Sequence, residues 1–176
     1  MSTRILLTSF QTWLPHQVSN ASDDLLALIA DRDLPSVSLT FLRQLPVDTE
    51  LASQQVKSKI QAIQPHYVIC CGMAETRSQL TLESNAEGRD RQLYTDLNLS
   101  PLLNSLKNSK ISHDAGKFVC EGLYFQVLSY FETLSLPKSC LFVHVPILTL
   151  SNQGEILQDF MQLIANLAHF GNPKHF

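Results

Sequence analysis

The run HYVICCG, residues 66–72, constrains the fold more than any other stretch of the chain. It is apolar without alternation and lies between Pro65 and a glycine, which marks a strand covered on both faces at the centre of a parallel sheet. Such a strand needs helices above and below it, and the rest of the chain supplies them. RILLTSF (4–10) and SCLFVHVP (139–146) are further apolar strand patterns. SVSLTFLRQLP (36–46) alternates, with Val37, Leu39 and Phe41 on one face. SQLTLESN (78–85) is a weaker strand, with Leu80 and Leu82 on one face and Thr81 and Glu83 on the other.

Helical patterns fill the intervals. NASDDLLALIADRD (20–33) starts at an Asn20 or Ser22 cap, and DTELASQQVKSKIQAIQP (48–65) at Asp48 or Thr49, with Leu51, Val56, Ile60 and Ile63 on its apolar side. CEGLYFQVLSYFETL (120–134) places Tyr124, Val127, Leu128 and Phe131 at i, i+3, i+4 and i+7. EILQDFMQLIANLAHF (155–170) is amphipathic. LSPLLNSLKNS (99–109) predicts a short helix capped by Ser100 with Pro101 in its first position. EGRDRQLYTDLN (87–98) reads as a polar loop, and KISHDAGKF (110–118) as a very short strand followed by a loop. The expectation is a single domain over residues 1–176: an α/β fold, a three-layer α/β/α sandwich with a mostly parallel twisted sheet. Sites in such folds gather outside the carboxyl ends of the strands and at helix N-termini.

Composition narrows the function classes. The hydrophobic fraction is 44% against 16% charged, which is globular rather than disordered, and leaves room for a homo-oligomer interface. The net charge of −3 offers no basic field to nucleic acid or anionic lipid. No apolar run approaches the roughly 18 residues of a spanning helix, so a cytoplasmic protein is expected. The four cysteines, Cys70, Cys71, Cys120 and Cys140, show no zinc-site spacing and are expected to be reduced. His16, His66, His113, His169 and His175 are scattered without ligand spacing, and no metal or cofactor is expected.

Three residues stand out for chemistry. Cys120 falls at a helix start, where free N–H groups and the helix dipole favour a thiolate and offer an oxyanion site; equally, it is four residues before Tyr124 on a core stripe. His144 lies near the carboxyl end of its strand, as a base or as a core histidine bonded to a carbonyl. Glu83 ends the LTLE run, as an imidazole-orienting carboxylate or as a solvated strand end. Together they form a nucleophile–base–orienter set. Phe10 and Trp13 flank the end of the first strand, where they wall an apolar pocket or cover the sheet edge. GMAETR (72–77) carries no phosphate-loop or dinucleotide fingerprint.

The chain resembles the pyroglutamyl peptidase I family of cysteine peptidases along nearly its whole length. ILLTSFQTW followed by Asn20 resembles the family's opening motif, and LPV (45–47) its Leu-Pro-Val. VICCGMAETR resembles its G-x-A-x-x-R turn and LTLES its I-T-[IL]-E-R segment. AGKFVCEGLYFQVL resembles its A-G-T-[YF]-V-C-N helix start, and FVHVP its F-[IV]-H-V-P strand. The resemblance implies a hydrolase that removes an N-terminal pyroglutamyl or related small acyl group from a small peptide with a blocked N-terminus. Cys120 would be the nucleophile, His144 the base and Glu83 the orienter, and Phe10, Trp13 and Met73 would contact substrate. Ser9, Gln11, the stretch 12–15, Met73 and Glu121 depart from the family pattern, and the segment between Glu83 and Cys120 is shortened. Arg89 or Arg91 is left as a source of the basic residue that segment carries in the family. The alternative is a family member that binds a small ligand or a protein partner without turnover.

Overall fold

The structure is a computed structural model and describes residues 2–170, so His175 lies outside the described residues. The elements are β1 (Thr3–Phe10), α1 (Ala21–Ala30), β2 (Val37–Leu45), α2 (Thr49–Ile63), β3 (Tyr67–Met73), β4 (Leu80–Glu83), β5 (Asn85–Glu87), β6 (Gln92–Tyr94), α3 (Leu99–Leu103), β7 (Ser109–Ser112), α4 (Val119–Thr133), β8 (Cys140–Val145) and α5 (Gln153–Phe170). A six-stranded sheet runs in the order β2-β1-β3-β8-β4-β7. The first four strands are mutually parallel, while β4 runs antiparallel to β8 and carries β7 parallel to itself.

The central run behaves as its composition demands. Ile69 and Cys71 of β3 face a layer built by α1, α3 and α5, while Val68 and Cys70 face α2 and α4. Both layers are dry: Leu25, Ile29, Phe160 and Ile164 close one, and Val56, Tyr124, Leu128 and Phe142 the other. Asn20 caps α1 by accepting from Ser22 N at 3.0 Å, and Asp48 caps α2 by accepting from Leu51 N at 2.8 Å. Starting at Asp48 turns Ala52, Ser53, Val56 and Ile60 inward and leaves Leu51 exposed, contrary to its expected place on the apolar side. Helix α3 begins at Leu99 rather than after a Ser100 cap, because Leu99 and Leu102 are the residues it buries. The expected loop at 87–98 is in part the strand β6 of a small antiparallel hairpin, β5–β6, with Ala86 and Leu93 packed in the α2/α4 layer. No helix among the described residues is long and apolar enough to cross a membrane.

At the carboxyl rim of the sheet, Asp23 gathers the ends of β1 and β2 onto the start of α1. Its carboxylate accepts from Ser9 Oγ (2.7 Å), Arg43 Nε (2.8 Å) and Gln44 Nε2 (3.1 Å). Burial alone would raise this carboxyl, but the bonds from Arg43, Ser9 and Gln44 outweigh it and hold the group below its ordinary value. A depressed carboxyl contributes stability above its unfolded pKa and loses that contribution as pH falls through the folded one. Asp23→Asn should therefore lower the melting temperature at neutral pH, with the gap to the parent closing below about pH 4; thermal melts across that range measure it.

Phe10 is 2% exposed in the α2/α4 core, not in a pocket wall. Phe10→Ala should lower the unfolding free energy by about 3–5 kcal/mol in urea titrations.

Candidate active site

The site is built where β3 and β8 end side by side. Gly72 and His144 are direct partners in that parallel pair. Helix α4 starts above them, with Phe118 as its N-cap and Cys120 in its first turn. A Cβ on Gly72 would lie 2.6 Å from Cys120 Sγ and 2.9 Å from Phe142 Cζ. Glycine at 72 is therefore what lets the helix start settle onto the strand and puts the sulfur beside the His144 position. Ahead of α4, Gly116 takes φ 91°, a conformation that favours glycine.

Glu83 is fully buried and its Oε1 accepts from His144 Nδ1 at 2.8 Å. An ionised carboxylate only accepts, so the Nδ1 proton points at Glu83 and Nε2 is left as the basic nitrogen. The reversal of β4 sets this geometry. Thr81 is the residue opposite His144, and Glu83 is paired one step deeper, with Phe142. Glu83 is thus not a solvated strand end: it lies under the imidazole, which also meets the Phe142 ring at 4.9 Å. Burial would raise the Glu83 carboxyl, but the hydrogen bonds from His144, then Ser112 and Arg77, hold it below its ordinary value.

Cys120 is half-buried, and with His144 it lines a cavity of about 790 Å³ together with Trp13, Met73, Arg77 and Phe118. Its thiol is pushed up to about 12, first by burial and then by Cys70 and Glu83, with Arg77 opposing. The expectation that the helix start would lower it is overturned, because a dipole acting at one turn is weaker than desolvation beside a buried carboxylate. No hydrogen bond joins the thiol to His144 in this structure, and catalytic pairs often tighten only when substrate is bound.

The other expected contacts are redistributed. Trp13 lines the cavity, and its aromatic partner there is Phe118, with ring centroids 5.8 Å apart, rather than the buried Phe10. Met73 also lines the cavity, while its Sδ accepts from Ala21 N at 3.3 Å. Arg91 pairs with Glu132 at 2.8 Å and Arg89 is exposed beside the hairpin, so neither supplies the cavity with a cation. Arg77 does, through contacts to Glu83, Thr81 and the Asp114 carbonyl. Its signal in the sequence was the arginine closing GMAETR. Glu121, next to the cysteine, accepts from Glu87 N at 2.8 Å and so anchors the β5–β6 hairpin to α4.

A thiol, a carboxylate-held imidazole and free helix N–H groups around one cavity are the parts of a cysteine-type hydrolase on a three-layer α/β/α fold. Comparison with known proteins narrows the class. No protein-family model matches the chain. The pyrrolidone-carboxylate peptidase of Vibrio vulnificus (strain YJ016) is 25% identical over 171 residues, spanning 82% of this chain and 79% of that one. The pyrrolidone-carboxylate peptidase of Thermococcus litoralis is 24% identical over 169 residues, spanning 81% and 76%. The crystal structure of pyroglutamyl peptidase I from Bacillus amyloliquefaciens superposes with a TM-score of 0.84 at 19% identity, covering 96% of each chain. A mutant (E192I) pyrrolidone carboxyl peptidase from Pyrococcus furiosus gives a TM-score of 0.83 at 18% identity, covering 96% of this chain and 100% of that one. The curated relatives of this chain include pyrrolidone-carboxylate peptidases, and its fold is that of pyroglutamyl peptidase I.

The raised thiol makes a direct prediction. Alkylation of Cys120 by iodoacetamide in the free protein should be slow at neutral pH and keep climbing beyond about pH 9, past the roughly 8.5 of a free cysteine. Peptide mass spectrometry after timed quenches reads the rate; a plateau reached by pH 7 would show a thiolate already formed.

Proposed function

We propose that the chain is a cysteine-type exopeptidase that removes an N-terminal pyroglutamyl group, or a related small acyl group, from peptides. The observation that carries this reading is the buried Glu83–His144 pair at 2.8 Å, opening with Cys120 onto one cavity. The activity named for the relatives agrees with it.

Chemistry follows from the atoms. Cys120 Sγ attacks the carbonyl carbon of the acyl group while its proton passes to His144 Nε2. Because the thiol starts neutral, this transfer belongs to the attack itself and requires the bound carbonyl to bring sulfur and imidazole together. Glu83 steadies the imidazolium that forms. The oxyanion is met by N–H groups of the first turn of α4, whose N-cap supplies no side-chain bond of its own. Collapse breaks the C–N bond, and His144 returns the proton to the departing amine. Water, deprotonated by His144, then splits the thioester, releasing the acid and restoring the thiol. The rings of Trp13 and Phe118 provide flat apolar surface for a lactam, and Met73 lies along the same cavity wall.

The raised thiol favours one other reading, a protein that binds such ligands without turning them over. A fluorogenic pyroglutamyl amide separates the two. The parent should hydrolyse it, and Cys120→Ala should lose more than about 10³-fold in kcat while melting normally, since a nucleophile has no substitute in the site. A parent that binds pyroglutamate by calorimetry but shows no turnover would establish the second reading.

A further inference from the structure

We propose that Arg77 is a positioning residue of this site: its guanidinium holds the Glu83 carboxylate behind His144 and ties it to the loop that delivers Cys120. The inference rests on the peptidase reading for its kinetic consequences, and on contacts alone for the rest.

Arg77 leaves the end of β3 in a tight turn closed by its own N–H on the Ala74 carbonyl at 3.1 Å. From there the side chain reaches three places. Nη1 donates to Glu83 Oε1 and to Thr81 Oγ1, both on β4, and Nη2 donates to the Asp114 carbonyl at 2.8 Å. Asp114 lies in the loop between β7 and α4, six residues before the nucleophile. Thr81 closes the set by donating to Glu83 Oε1 at 3.2 Å. One planar cation therefore joins the orienting carboxylate, the strand that carries it and the approach to the nucleophile. A fork of fixed donors does this where a lysine offers a single point of charge.

Electrostatics requires such a group. Glu83 is fully buried, and a buried carboxylate keeps its charge only against an opposite charge or several donors. The groups facing it are His144 from β8, Ser112 across the β4–β7 pair, Cys120 and Glu121 from the first turn of α4, and the Tyr124 hydroxyl, which donates to the Glu83 carbonyl at 2.9 Å. Cys120 and Glu121 are acids, Ser112 and Tyr124 are neutral, and His144 donates through its Nδ1–H. Of the groups in contact with Glu83, Arg77 is the one with a permanent positive charge. Without it the carboxyl takes up a proton at higher pH, and a protonated Glu83 no longer holds the imidazole in its working tautomer.

Arg77→Met and Arg77→Lys test the assignment. With the fluorogenic pyroglutamyl amide, Arg77→Met should lower kcat by about 10–100-fold, the usual range for supporting partners of a site. KM should stay unchanged, and the acid limb of kcat/KM should move up by about one pH unit or more. Arg77→Lys should recover part of both effects. A raised KM with an unmoved pH profile would make Arg77 a substrate contact, and unchanged kinetics would leave it a surface-rim residue; either overturns the proposal. A second measurement needs no turnover: carboxyl ¹³C NMR of the free protein, with the Glu83 signal assigned by Glu83→Gln. In Arg77→Met and Arg77→Lys the Glu83 midpoint should shift upward, less in the lysine variant, and an unshifted midpoint overturns the proposal. If the parent fails to hydrolyse the amide yet the Glu83 midpoint moves, the substrate reading falls and the role of Arg77 stands.

Discussion

The site depends on one buried carboxylate. Glu83 has no exposure, yet its hydrogen-bond partners keep its carboxyl below the ordinary value, and the neighbouring side chains of the cavity are arranged around it. Its Oε1 fixes the proton on His144 Nδ1 and so frees Nε2 for chemistry. Its bonds from His144, Arg77 and Thr81 converge on Oε1 while Oε2 has no hydrogen-bond partner among the described residues, and β4 makes this convergence possible by running against its neighbour β8. A parallel β4 would carry its last residue toward the open carboxyl rim. Reversed, it sends Glu83 down beneath the imidazole and leaves Thr81 level with His144.

Cys120 is placed by packing rather than by bonding. Gly72 lets α4 press its first turn onto β3, and Phe142 closes the space below. The same closeness partly buries Cys120, and burial is the first cause that raises its thiol. The bond from Glu87 N to Glu121 ties the β5–β6 hairpin to the start of α4.

Much of this was legible in the one-dimensional pattern. Periodicity alone places β3, β8, α2 and α4 close to their observed bounds, because continuous apolar runs and 3.6-residue stripes have few alternative burials. Cys120, His144 and Glu83 were legible as a set through their motifs. The hairpin was hidden because its strands are three residues each and mostly polar, too short for alternation to register. Phe118, rather than Phe10, stands at the cavity for a related reason. Both are aromatics near a strand or helix end, and only the packed layers show that one is enclosed by the α2/α4 core while the other is exposed at the cavity.

The sequence by itself determined the layered class of fold, the alternation of its main strands and helices, and the kinds of side chain available at the rim, since these follow from local patterns of burial. Tertiary structure alone decided the direction of β4, the depth of Glu83, the burial that raises the Cys120 thiol and the reach of Arg77 across three segments. Each of those depends on distances and desolvation between residues far apart in the chain, which no local pattern encodes.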